Sequence, residues 1–168
     1  MSWSMPLWRF VVLASVLVMA GCASSAISRT AWTVPLANDD EDAQAKTFLA
    51  PPGKASIYLY RDGFVRLLEA VNVTLDGRPA GVMRGKTFFV WAVEPGLHLV
   101  EVGEPDVVVG SAHLTVEAGR NYYLWHELVV NNTLDPNPPL STGSRLYRVD
   151  KDIGQRGVLR CKRLEQSF

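Results

Sequence analysis

The sequence predicts an all-β domain, a β-sandwich or small barrel closed by one short C-terminal helix. Two observations carry this. Val71, Val73 and Leu75 alternate with Asn72, Thr74 and Asp76, the period of two of a half-buried strand. Turn signals (Asp76-Gly77, Glu94-Pro95-Gly96, Glu117-Ala118-Gly119) then cut the chain into seven or so short runs, a spacing typical of sandwiches and barrels.

Taken in order, residues 55–60 are rich in β-formers and make the first strand. Residues 71–75 make the second, and Asp76-Gly77 offers the positive φ of a tight hairpin turn back into residues 79–83. Residues 86–93 carry Phe88, Phe89, Val90 and Trp91, apolar on both faces, as a central strand would be. Glu94-Pro95-Gly96 suits a type II turn, and residues 97–102 return from it. Gly103 to Asp106 breaks the run. Residues 107–116, a turn at 117–120 and residues 121–130 follow. Pro- and Gly-containing residues 131–144 form a loop before a last strand over 144–149. Asp150 is placed to cap a helix from Lys151 to about Leu164, although Gly154 and Gly157 count against it.

The N-terminus has another purpose. Arg9 precedes eleven residues, Phe10 to Ala20, that are apolar apart from Ser15, and Gly21 and Cys22 follow. Charge, apolar core and small residues are the order of a secretory signal, and eleven residues are too few to span a bilayer. Ala20-Gly21-Cys22 resembles the lipobox of bacterial lipoproteins, with Met19 where Leu is usual. The resemblance implies cleavage after residue 21, acylation of Cys22 and a lipid-anchored mature chain. Ala23, in place of Asp, favours the outer membrane over the inner. Residues 22–53, with the acidic run Asp39 to Asp42, read as a flexible tether spanning roughly 30 Å. Within it Trp32 and Phe48 are candidates for local docking, and residues 42–50 for one helical turn. Pro51-Pro52-Gly53 marks the start of the domain, residues 54–168.

The full chain carries 17 basic and 17 acidic side chains, and the mature chain loses Arg9. That balance offers no concentrated basic surface for nucleic acid. With Cys22 acylated, Cys161 has no intramolecular partner. Its neighbours Arg160 and Lys162 would activate a thiol, but no histidine lies nearby in sequence, and a small apolar role is the favoured reading.

The ordered segments Tyr58-Leu59-Tyr60-Arg61, Leu75-Asp76-Gly77, Pro95-Gly96-Leu97-His98 and Ala118-Gly119-Arg120-Asn121-Tyr122-Tyr123 together resemble the DUF2846 family of small bacterial β-domains, over about residues 54–130. The resemblance implies a sandwich in the style of PEGA and transthyretin-like modules and transfers no catalytic residue. Tyr122 and Tyr123 point to opposite faces of their strand, so one ring belongs to the core. Arg61, just past a strand, is a candidate partner for a carboxylate.

Candidate chemistry is sparse. If Val116 and Asn121 paired across their turn, His113 and His126 would be diagonal neighbours, about 7–8 Å apart, and would supply two metal ligands without a third. No Gly-x-Ser-x-Gly or phosphate-binding glycine pattern occurs. A hydrolase would require a cleft uniting two histidines with a carboxylate. Tyr122 and Trp125, with Asn131, Asn132 and Asp135 of the following loop, form the candidate interaction surface. Such residues stack on sugar rings or anchor a protein interface; alternatively Trp125 is core and the loop a connector. The expectation is a non-enzymatic module of the bacterial envelope. It would be lipid-anchored at the periplasmic face of the outer membrane, without cofactor or metal, and would take a protein or glycan partner.

Overall fold

A computed structural model describes residues 34–63, 67–104, 107–130 and 142–168. Two helices and nine strands follow in the order α1 (Asp39–Ala45), β1 (Ala55–Arg61), β2 (Val71–Leu75), β3 (Arg78–Met83), β4 (Thr87–Val93), β5 (Gly96–Glu104), β6 (Val107–Val116), β7 (Asn121–Val130), β8 (Thr142–Val149), α2 (Lys151–Leu159) and β9 (Lys162–Arg163). The strands build two sheets, β8-β7-β1-β4-β9 and β3-β2-β5-β6. The expected all-β sandwich with a short C-terminal helix is the observed architecture.

Alternation explains the layers. In β2, Val71, Val73 and Leu75 are buried and Asn72 and Thr74 only partly so. In β1 all seven residues are buried, because both faces of its sheet are covered. Ala55, Ile57 and Leu59 join Phe89, Trp91, Tyr122 and Leu124 in the core between the sheets. Tyr58 and Tyr60 join Phe88, Tyr123, Val158 and Cys161 in a second core on the outer face, which α2 covers. Tyr122 and Tyr123 do take opposite faces, and both are buried.

Several local expectations change in three dimensions. Asp76 and Gly77 have φ of +52° and +74°, and join β2 to β3 as a two-residue hairpin turn. The other two turn signals mark crossings between sheets. β4 lies in one sheet and β5 in the other, and Gly96 has φ of +147°, far from the third position of a type II turn. Likewise β6 pairs with β5, whereas β7 pairs with β8 and runs parallel to β1. β5 continues through Gly103 to Glu104, and α2 ends at Leu159, after which β9 runs parallel to β4.

The expected tether over 22–53 is corrected from Val34 onward. Leu36 bridges Leu164, Ala37 N–H donates to the Arg163 carbonyl and Glu165 N–H to that of Pro35. The acidic run is helix α1, capped by the Asn38 side chain on Glu41 N–H. Asp42 is buried and accepts from Lys46 Nζ at 2.8 Å and from the Arg163 N–H at 2.8 Å. Burial alone would raise its pKa, but those bonds and the Lys46 and Lys162 charges hold the carboxyl below its ordinary value. Phe48 does dock, its ring 5.5 Å from Tyr58 and 6.2 Å from Tyr123. Trp32, Cys22 and residues 1–21 lie outside the described residues. No helix among the described residues is long and apolar enough to cross a membrane.

Candidate functional site

Packing of α2 on the outer core shapes a cleft. Gly154 lies on the Tyr123 ring and Gly157 on the Tyr60 ring, so close that no side chain fits at either glycine. Beside this contact opens a space of about 300 Å³ lined by Tyr60, Asp62, Trp125, Ile153, Gly157 and the arginines 156 and 160. Trp125 is partly buried and stacked on Tyr147, with ring centroids 5.4 Å apart. Trp125 is therefore both a flank of the outer core and a wall of the cleft. Arg160 Nη1 lies 3.4 Å from Asp62 Oδ2. Burial pushes the Tyr60 phenol up to about 12, aided by the Asp62 charge and opposed by the two arginines, so its hydroxyl stays protonated.

A second cavity, of about 430 Å³, lies at the end of the sandwich where β2 and β4 stop and β5 begins. Trp91, Val93 and Leu75 form its apolar walls, and Asp76, Arg78, His98, Gln166 and Phe168 also line it. His98 Nδ1 meets Asp76 Oδ2 at 2.7 Å, and its Nε2 meets the Glu94 carbonyl at 2.8 Å. Burial pulls the His98 pKa down, but these bonds and the Asp76 charge outweigh it and the net shift is upward. Both ring nitrogens are thus held by acceptors, and the imidazole ties two turns together.

The three histidines do not converge. His113 is exposed on β6 opposite Leu99. His126 is fully buried at the Arg61 end of β1, the end opposite His98, because β7 runs parallel to β1. Its Nε2 lies 3.0 Å from Ser144 Oγ, and Nδ1 has no hydrogen-bond partner among the described residues. Burial and, second, the Arg61 charge push its pKa down to about 4. Val116 and Asn121 do not pair, and His113 and His126 are not diagonal neighbours, because β6 and β7 belong to different sheets. Among the described residues no group of three or more metal-ligating side chains occurs, and neither of these two clefts unites two histidines with a carboxylate. Arg61 is buried and donates to the Glu69 carbonyl at 2.8 Å. Cys161 is buried with its Sγ 3.6 Å from the Arg61 carbonyl, and burial pushes the thiol up to about 12, which removes the reactive-cysteine reading.

Of the expected interaction surface, Trp125 borders a cleft, whereas Tyr122 does not qualify. Its ring is in the inner core, its hydroxyl accepts from Glu117 N–H at 3.0 Å and the Arg148 guanidinium covers it at 5.3 Å. Asn131, Asn132 and Asp135 lie outside the described residues. Sequence reasoning missed Tyr60, Asp62, Arg156 and Arg160 as neighbours of Trp125. The available signal was Gly154 and Gly157 at helical spacing, with Arg156 on the same helix and Arg160 at its C-cap.

Fold and sites together define a two-sheet β-sandwich with helices covering one sheet. The chain belongs to the DUF2846 family, described as a protein of unknown function, which matches residues 51–135. It is similar to a Haemophilus influenzae protein described as "Uncharacterized protein", 26% identical over 117 residues. That alignment covers 69% of this chain and 64% of the relative, so this chain spans under two thirds of the relative's length. No solved structure matches the chain.

Proposed function

We propose that this protein is a lipid-anchored binding module of the bacterial envelope, held through Cys22 at the periplasmic face of the outer membrane, and that it performs no catalysis. The observation that carries the reading is Arg9, the apolar run to Ala20, and Gly21-Cys22, the order of a lipoprotein signal. Three acyl chains on such a cysteine would hold the chain firmly, since two already make a stable anchor. Both nitrogens of His98 are occupied, and His126 is sealed in the core, which supports binding over acid–base chemistry. Labelling cells with an alkynyl palmitate analogue tests the anchor. The wild-type chain takes up label and fractionates with outer membranes, and Cys22→Ala loses both. Equal labelling of the variant would refute the anchor.

A glycan is the second reading of the partner, favoured by the Trp125–Tyr147 stack beside the cleft. Photocrosslinkers at Ile153, an exposed residue lining that cleft, distinguish the two. A single crosslinked envelope protein would favour a protein partner, and crosslinking to polysaccharide a glycan.

A further inference from the structure

We infer that the cleft between α2 and the outer face of β1 and β7 binds a carboxylated sugar, a pyranose ring bearing a carboxylate. The inference rests on the glycan reading of the Trp125 face and owes nothing to the lipid anchor.

Four features of the cleft specify this ligand. Its volume of about 300 Å³ is at the small end of ligand pockets, matching one ring rather than a peptide or a lipid chain. One wall is the Trp125 indole, kept in place by its stack on Tyr147, an apolar partner for the C–H groups of a pyranose. The polar groups are unevenly committed. Asp62 and Arg160 neutralise each other at 3.4 Å. Arg156 on α2, four residues before Arg160 at the helix C-cap, is exposed and has no ion pair or hydrogen bond among the described residues. The cleft therefore carries one unbalanced guanidinium, and guanidinium matches a carboxylate with two parallel hydrogen bonds.

The floor adds the fourth feature. Tyr60 is 98% buried (2% exposed), yet its hydroxyl has no hydrogen-bond partner among the described residues. By contrast, Tyr58 donates to the Ala45 carbonyl and Tyr123 accepts from Gln155. The ring is buried but the hydroxyl reaches the cleft, where it is free to donate to, or accept from, a ring hydroxyl of the ligand. Asp62 adds an acceptor for a second hydroxyl. A neutral sugar would use the indole, Tyr60 and Asp62 but leave Arg156 idle, and a simple carboxylate would leave the indole uncovered.

Isothermal titration of the full-length chain in detergent micelles tests this with N-acetylmuramic acid and glucuronic acid, against N-acetylglucosamine, glucose and acetate. Both acids are expected to bind at least about 10-fold more tightly than their neutral counterparts, one charge-assisted interaction's worth. A preference between the two acids then points to peptidoglycan strands freed of their peptides, where the lactyl carboxylate is exposed, or to a uronic-acid polymer as the source. Arg156→Gln, at an exposed position, should abolish the preference for acids. Tyr60→Phe, which keeps the packing against Gly157, should weaken every sugar. Equal binding of acids and neutral sugars would overturn the inference and leave the glycan reading standing. No binding by any sugar would overturn both. An Arg156→Gln variant that still prefers acids would place the anion elsewhere and also overturn it.

Discussion

Replacing Gly157 with alanine should destabilise this protein, although alanine is the better helix former. The new Cβ would sit 2.1 Å from Tyr60 Cε2 and 2.4 Å from Cζ. Carbon atoms rest at about 3.5–4.0 Å, so helix or ring must withdraw by more than 1 Å. The ring cannot give way easily. Tyr60 is buried among Phe88, Tyr123 and Cys161. Overpacking of a core costs about 1–3 kcal/mol, and a clash this deep belongs at the upper end. Exchanging glycine for alanine in a helix returns about 1 kcal/mol. The expected net loss is about 2 kcal/mol, a fall in Tm of roughly 5 °C for a domain of this size. Gly154→Ala should behave alike, its Cβ falling 2.2 Å from Tyr123 Cγ. Urea denaturation followed by circular dichroism measures both. A double-mutant cycle isolates the cause: in a Tyr60→Ala background the space opens, and Gly157→Ala should become neutral or stabilising. An unchanged or raised Tm for Gly157→Ala in the wild-type background would refute the close-approach argument.

Three further outcomes follow from the buried and paired groups. The His126 pKa is lowered to about 4 from 6.5, so between those values the unfolded chain takes up a proton that the native core refuses. Stability should fall as pH drops through that window, by up to about 3 kcal/mol, and His126→Gln should flatten the slope. His98 has the opposite sign: its raised pKa stabilises the fold below pH 6.5, and that contribution is lost as pH rises through the folded value. Asp76→Asn keeps the turn and the acceptor for Leu99 N–H while removing the charge, so NMR titration should show the His98 pKa falling. In a Cys22→Ala chain, Cys161 should resist iodoacetamide in the native state and react in urea, because burial holds the thiol at about 12; rapid native labelling would contradict the buried placement.

Local patterns were legible wherever one residue and its near neighbours suffice. The period of two in β2 and the Asp76-Gly77 turn held, as did the opposite facing of Tyr122 and Tyr123, because side-chain alternation and positive φ are properties of a few consecutive residues. The terminal helix was legible only in part. Its glycines argue against a helix by propensity, yet they are what lets it lie flat on two tyrosine rings. The candidate site was less accessible still. Trp125 was found, but Asp62, Arg156 and Arg160 reach it through the docking of α2, a contact nearly a hundred residues removed from Asp62 in sequence.

The sequence by itself determined the class of fold, the approximate strands and the family, since each is written in composition or short-range spacing. Tertiary structure decided which strands are neighbours. The turns after Val93 and Val116 look like hairpins, yet each sends the chain to the other sheet, and β7 settles parallel to β1. That choice separates His113 from His126 and buries the latter. It also drew residues 34–50 out of the expected tether, because Val34 and Phe48 gain apolar burial and Asp42 gains the Lys162 ammonium and the Arg163 N–H only against a surface assembled from distant strands. Periodicity says that a face will be buried; only the packed whole says against what.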